Sequence, residues 1–68
     1  MERILILGAS GFIGNAIYKE LCSYFDTHGT YCTDSRALEK NHQFHQYDME
    51  TDSLDLLLYN LKPSIIIS

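Results

Sequence analysis

Two different spacings of apolar residues divide the first half of the chain. Residues 4–7 form an unbroken apolar run, which predicts a strand buried on both faces, and Gly8 ends it. Over residues 12–25 the apolar side chains return every four positions, which predicts a helix with one apolar stripe. Residues 26–29 are polar or glycine and predict the end of this helix.

The second half is predicted to hold two further strands, a second helix and a last strand. Residues 30–33 are rich in β-formers, residues 34–43 are polar and fit either a loop or a frayed helix, and residues 44–47 indicate a weaker strand. The clearest helical spacing follows, after several residues able to cap a helix, at Leu54, Leu57, Leu58 and Leu61. Pro63 ends that helix, and three isoleucines, residues 65–67, predict another buried strand.

This order of elements is typical of one α/β architecture. Strands that alternate with helices predict a parallel sheet, and the order found here matches the first half of a Rossmann-type doubly wound sheet with strand order 3-2-1-4. We expect residues 1–68 to be the N-terminal portion of such a domain, truncated in the fourth strand.

Charge and composition exclude several classes of partner. Nine acidic residues face five basic ones, giving a net charge of −4, and the basic residues do not cluster, which disfavours nucleic acid and anionic membranes. No apolar run approaches the ~18 residues that span a bilayer, and no signal peptide is recognisable, so we expect a cytoplasmic protein. The histidines and cysteines lack the paired close spacing of a zinc site, so no metal is expected.

Three glycines spaced three apart mark the junction between the first strand and the first helix. Gly8 allows a tight turn, Gly11 lets another group approach the backbone, and Gly14 lets the helix lie close to the sheet. The start of a helix carries unpaired N–H groups and the positive end of the helix dipole, which together attract anions. The alternative is a glycine-rich turn without a ligand. The position of the motif between a buried strand and an amphipathic helix favours a phosphate site.

The motif resembles that of a known superfamily. "RILILGASGFIG" has the Gly-x-x-Gly-x-x-Gly spacing of the short-chain dehydrogenase/reductases, and "GFIG" resembles their extended branch, the NAD-dependent epimerase/dehydratase superfamily. "HGTYCTDSR", "HQYDMETDSL" and "LKPSIIIS" resemble segments of the dTDP-4-dehydrorhamnose reductase group. The resemblance implies an NAD or NADP cofactor and, in the parent protein, a nucleotide-sugar substrate.

Carried over by position, the resemblance implies a set of cofactor-binding residues. It makes the three glycines the phosphate loop, with the backbone of Phe12 and Ile13 donating to the pyrophosphate and Ser10 near the ribose phosphate. Asp48 and Met49 would flank the adenine, although Asp48 has an equal alternative as a plain turn residue.

The choice between NAD and NADP depends on Asp34 and Arg36. Asp34 lies 20 residues after Gly14, the spacing of an acid that accepts hydrogen bonds from a ribose diol, which favours NAD. Arg36 is suited to pair with the 2′-phosphate of NADP instead, so both cofactors stay open at this point.

Catalytic residues are not found. Members of this family use a Tyr-x-x-x-Lys pair, and no tyrosine of this chain has a lysine four residues later. We therefore expect the dinucleotide-binding fragment of a reductase or epimerase, inactive alone; the alternatives are part of a non-catalytic regulator and, less favoured, an independent mini-domain. Residues 65–67 would leave a bare sheet edge, so self-association through this strand is also expected.

Overall fold

The computed structural model describes residues 1–9, 11–32 and 43–68. Within those residues the chain forms a four-stranded sheet and two helices. In chain order the elements are β1 (Arg3–Ile6), α1 (Phe12–Leu21), β2 (Asp26–Tyr31), β3 (Phe44–Gln46), α2 (Leu54–Leu61) and β4 (Ile65–Ile67).

The sheet has the predicted topology. Its strands are all parallel and lie in the order β3-β2-β1-β4, which confirms the α/β fold and the order 3-2-1-4. Ile4 pairs with Thr27 on one side and with Ile65 on the other, so β1 occupies the interior of the sheet as its continuous apolar run requires.

The second strand begins earlier than predicted, and the first helix ends earlier. The segment expected to end the helix is the first part of β2, and α1 stops at Leu21 instead of residue 25. The reason is that β2 buries small polar residues: Thr27 and Thr30 are 0% and 3% exposed. A pattern of apolar residues does not reveal a strand whose buried residues are polar. The tail of the predicted strand, Thr33, lies outside the described residues.

Helix α1 packs on one face of the sheet. Ile4 and Ile6 of β1 form the core there with Ala9 and Tyr18, and the Tyr18 ring meets that of Phe44 edge to face at 4.6 Å between centroids. This contact brings the short β3 strand into the same apolar layer. The fold therefore rests on a small core around β1 and α1, against which Phe44 of β3 and Ile67 of β4 also pack.

The opposite face carries Leu5 and a row of polar side chains. Because side chains alternate along a strand, Arg3 and Leu5 share this face with their partners on β2, Asp26 and His28. The Arg3 guanidinium donates from Nη1 to the Leu61 carbonyl at 2.7 Å, which ties the end of α2 to this face.

Strand β4 is one edge of the sheet. Ile65 and Ile66 are 42% and 46% exposed, as an edge open to a second strand requires. Self-association of the chain through this edge stays a prediction. Within the described part of the chain no helix has the length and apolarity needed to cross a membrane.

Candidate functional site

The turn between β1 and α1 is held in place by Thr30 of the neighbouring strand. Gly8 has a φ of +78°, a left-handed conformation that favours glycine. Its N–H donates to the Thr30 hydroxyl at 2.8 Å, and the N–H of Ala9 donates to the Thr30 carbonyl at 2.9 Å. One residue of β2 thus fixes the path of the chain as it leaves β1.

Gly14 brings the first turn of α1 against that bend. A Cβ atom on Gly14 would collide with the Gly8 carbonyl oxygen and would lie 2.9 Å from the Ala9 Cα. Both obstacles are backbone atoms, which cannot rotate away as a flexible side chain would. The predicted role of Gly14 in close packing therefore has a concrete cause in this structure.

The N-terminus of α1 is open. Its N-cap residue, Gly11, has no side chain to bond to the helix, and the first helical bond runs from the Asn15 N–H to the Gly11 carbonyl at 2.8 Å. Among the described residues, no acceptor takes the N–H groups of Phe12 or Ile13. Their side chains are 95% and 72% exposed, so the predicted anion site faces solvent.

A cleft of about 610 Å³ lies at the carboxyl ends of the strands. Gly8 lines this cleft, so the cleft adjoins the turn between β1 and α1. The described residues that line it come from the ends of all four strands and from the start of α2: Leu7, Gly8, Thr30, Tyr31, Cys32, Tyr47, Asp48, Met49, Glu50, Leu54 and Ser68. This edge is where open parallel sheets bind their ligands.

Asp48 has the turn role that the sequence offered as one alternative, and its contact with an adenine stays a prediction. It lines the cleft, and it also builds the turn after β3: its Oδ1 accepts the Glu50 N–H at 2.9 Å, while its own N–H donates to Asp52 Oδ2 at 2.8 Å. Met49 lines the cleft beside it and is 82% exposed. The end of the cleft near β3 is therefore acidic, whereas the helix start supplies a positive potential.

Cys32 is a cleft residue that the sequence reasoning did not select. It is a free thiol directly after β2. Loss of hydration, followed by the negative charges of Asp48, Glu50 and Asp52, raises the pKa of this thiol above its ordinary value of 9.0. The thiol is therefore protonated at neutral pH. No sequence signal marked it as a cleft residue, because residue 32 lay inside the predicted strand of residues 30–33, whereas β2 ends at Tyr31.

The structure places the predicted residues in two adjoining groups. Gly8, Asp48 and Met49 line the cleft, and the other described members, Gly11, Phe12, Ile13 and Gly14, form the helix start next to it. Three predicted residues, Ser10, Asp34 and Arg36, lie outside the described residues.

The chain was compared with models of protein families, with curated proteins and with solved structures. None of the three comparisons finds a match. Assignment of a function therefore rests on the geometry of this site and on the motifs of the sequence.

Proposed function

We propose that the cleft binds the adenosine diphosphate part of NAD or NADP, and that the chain is the cofactor-binding part of a cytoplasmic reductase or epimerase that acts on a nucleotide sugar. One observation carries the proposal. The helix start at Gly11, where the N–H groups of Phe12 and Ile13 have no acceptor among the described residues, adjoins a cleft at the carboxyl edge of a parallel sheet.

The charges of the cleft set the direction of the ligand. The helix start is the favourable place for a pyrophosphate, since its N–H groups and its dipole both attract negative charge. At the other end the carboxylates of Asp48 and Glu50 repel phosphate and suit an uncharged base with amino hydrogens to donate. A dinucleotide, anionic in the middle and neutral at its adenine, matches this arrangement.

The motif resemblance supplies the reaction class. The Gly-x-x-Gly-x-x-Gly spacing supports a short-chain dehydrogenase/reductase. The three other segments that resemble the dTDP-4-dehydrorhamnose reductase group support a nucleotide sugar as the substrate. The Tyr-x-x-x-Lys pair of that family is not among the 68 residues. In this proposal the chain binds and orients the cofactor, and hydride transfer requires residues outside this sequence.

The first test is NADH binding to the chain and to Gly11→Val. The Gly11 backbone is extended, with φ −72° and ψ 168°, and an added Cβ would meet only the Gly8 carbonyl oxygen, at 3.4 Å. The fold therefore has room for the Cβ atom, and we expect the methyl groups of valine to hinder a phosphate from reaching the N–H groups. We expect NADH affinity, measured by fluorescence titration, to fall at least about tenfold, equivalent to about 1.4 kcal/mol.

Ala16→Val is the matched control, because it adds the same methyl groups to an exposed position of α1 away from the helix start. It should change NADH affinity by less than about twofold. Equal binding by the chain and Gly11→Val would place the ligand elsewhere. No binding of NADH at millimolar concentration would reject the proposed function.

The second test separates the two cofactors. If Asp34 accepts from the ribose diol, the chain binds NADH more tightly than NADPH, and Asp34→Ala removes the preference. If Arg36 pairs with the 2′-phosphate, the preference is reversed and is lost in Arg36→Ala. Our expectation is a preference for NADH, and a tenfold preference for NADPH that Arg36→Ala removes would show it to be wrong.

A further inference from the structure

Two histidines face each other across neighbouring strands, on the side of the sheet opposite α1. His28 Nδ1 and His45 Nε2 are 2.8 Å apart, and their rings are stacked with centroids separated by 5.1 Å. The His28 side chain is 12% exposed. At this distance one nitrogen donates a hydrogen and the other accepts it, so the bridge holds one proton.

His28 is held on its other nitrogen by Asp26. The distance from His28 Nε2 to Asp26 Oδ1 is 3.1 Å, and the same carboxylate accepts from Gln43 and from Arg3, whose Nε lies 2.8 Å from Oδ2. The hydrogen bond from Arg3, assisted by the positive charges of His28 and Arg3 and by Gln43, holds the pKa of Asp26 below its ordinary value of 3.8. Asp26 is therefore ionised at neutral pH, and His28 Nε2 carries a hydrogen.

The geometry limits how many protons the pair accepts. The bridge accommodates one added proton, because one of its two nitrogens can then still accept a hydrogen bond from the other. A second added proton would make both bridging nitrogens donors, and the bridge would break. Burial, followed by the charges of His28 and Arg3, lowers the pKa of His45 from its ordinary value of 6.5.

The described groups facing the pair come from every element on that side of the sheet. They are the Arg3 guanidinium from β1, the Asp26 carboxylate from β2 and the uncharged Gln43 amide just before β3. Helix α2 contributes the Leu61 carbonyl, which binds Arg3. Among these groups Asp26 is the one negative charge, and it already bonds to both Arg3 and His28.

We propose that the His28–His45 pair is a proton sensor that controls the attachment of β3, and with it the wall of the cleft formed by residues 47–50. Strand β3 has three residues, and among the described strands it pairs with β2 alone. Its side chains are held by Phe44 on the α1 face, against Tyr18, by His45 on the other face, and by Gln46, whose Nε2 lies 3.5 Å from the Cys32 carbonyl oxygen. Breaking the bridge removes the His45 contact just before Tyr47, Asp48 and Met49 enter the cleft.

The direction of the pH dependence follows from the lowered pKa of His45. Folded β3 binds fewer protons there than the detached strand does, so its attachment is complete above pH 6.5. Attachment weakens as the pH falls below 6.5 toward the lowered pKa of His45, and it stops weakening below that pKa. Asp26 acts in a separate and more acidic range, below 3.8.

Amide hydrogen exchange of the full 68-residue chain tests the sensor. The reporter is the Tyr47 N–H, which bonds to the Tyr31 carbonyl at 2.8 Å, and the internal control is the Leu7 N–H, bonded to the Ile67 carbonyl at the far side of the sheet. Between pH 7.5 and 5.5 we expect the protection factor of Tyr47 to fall, by at most about tenfold, and that of Leu7 to change less than about twofold.

Two glutamine variants make the test specific. His45→Gln keeps an amide able to bond to His28 but cannot be protonated, so the fall at Tyr47 should disappear; His42→Gln removes the third histidine and should preserve it. An equal fall in His45→Gln would overturn the proposal. If His45→Gln does not fold, the pKa of His45 is measured in the unmodified chain from the NMR chemical shifts of its imidazole nitrogens. A pKa of His45 at or above 6.5 would overturn the sensor.

The consequence for the ligand rests on the proposed function, and its failure is distinguishable. NADH affinity should fall about threefold or more from pH 7.5 to 5.5 in the unmodified chain and stay level in His45→Gln. If NADH binds at neither pH, the proposed function fails while the exchange experiment still tests the sensor. If NADH binds equally at both pH values although Tyr47 loses protection, the sensor does not reach the cleft and that part of the proposal is rejected.

Discussion

The two helices that the structure describes begin in opposite ways. At the start of α2, Ser53 caps the helix by accepting the Leu56 N–H on its hydroxyl at 3.3 Å, and Asp55 adds a negative charge in the first turn. At the start of α1, Gly11 has no capping side chain, and the first turn holds no acidic residue.

This difference separates a helix end that serves stability from one that is available to a ligand. The positive end of α2 is neutralised by Ser53 and Asp55, whereas that of α1 receives no such compensation from its own N-cap and first turn. An uncapped helix start is a modest loss of stability, which an anion bound there would recover. The glycine motif thus leaves the start of α1 uncapped, and single substitutions can change this difference between the two helix starts.

The largest effect is expected from Gly14→Ala, which pushes α1 away from the turn. The added Cβ collides with backbone atoms of Gly8 and Ala9; overpacking of this kind costs about 1–3 kcal/mol, of which better helix propensity returns about 1 kcal/mol. We expect a net loss of unfolding free energy, measured by urea denaturation. Gly11→Ala is the control, since its Cβ would meet one atom at 3.4 Å. A Gly14→Ala chain as stable as the original would show that the close approach is not required.

Gly11→Asp should remove the contrast by giving α1 a cap of its own. An aspartate at the N-cap accepts from the free N–H groups and stabilises the helix by a few tenths of a kcal/mol relative to glycine. Its charge repels phosphate, so NADH affinity should fall at least about tenfold, or about 1.4 kcal/mol, while stability rises slightly.

Gly11→Asn separates the two effects of that substitution. Asparagine caps about as well as aspartate but carries no charge, so its loss of NADH affinity should be smaller. Tight binding of NADH by Gly11→Asp would mean that the helix start takes no part in binding.

Ser53→Ala removes the cap of α2, the other helix start in this comparison, and has the smallest expected effect. Loss of the cap should cost about 1 kcal/mol of unfolding free energy. NADH affinity should stay within about twofold, because Ser53 does not line the cleft and the N–H group that it caps is already occupied. Ser23→Ala, at an exposed position after α1, is the matched control for the loss of a hydroxyl. Weaker NADH binding in Ser53→Ala would extend the site to the cap of α2.

The parts of the fold that the sequence predicted well are those with strong local signals. Ile4 and Leu5 begin a continuous apolar run, and the leucines of α2 keep helical spacing, so both elements were expected close to where they occur. The glycine turn was equally local, because a φ of +78° at Gly8 depends on that residue itself.

The start of β2 and the pair of histidines were missed for a common reason. Thr27 and Gly29 are buried without being strongly apolar, and the segment that holds His28 was predicted as the end of the first helix instead of a strand. The signal that existed was the alternation of Asp26, His28 and Thr30 on one face, which becomes readable only once the segment is known to be a strand.

By itself the sequence determined the kinds of elements, their order and the bend at Gly8, because backbone sterics and apolar periodicity act over a few neighbouring residues. Only the tertiary structure decided which residues meet. The register of parallel strands places His45 against His28, and Thr30 against Gly8, although these partners are far apart along the chain. It also gathers the ends of all four strands around one cleft, with the open start of α1 beside it. Contacts of this kind depend on how separate strands align, and a pattern along one segment carries no information about that alignment.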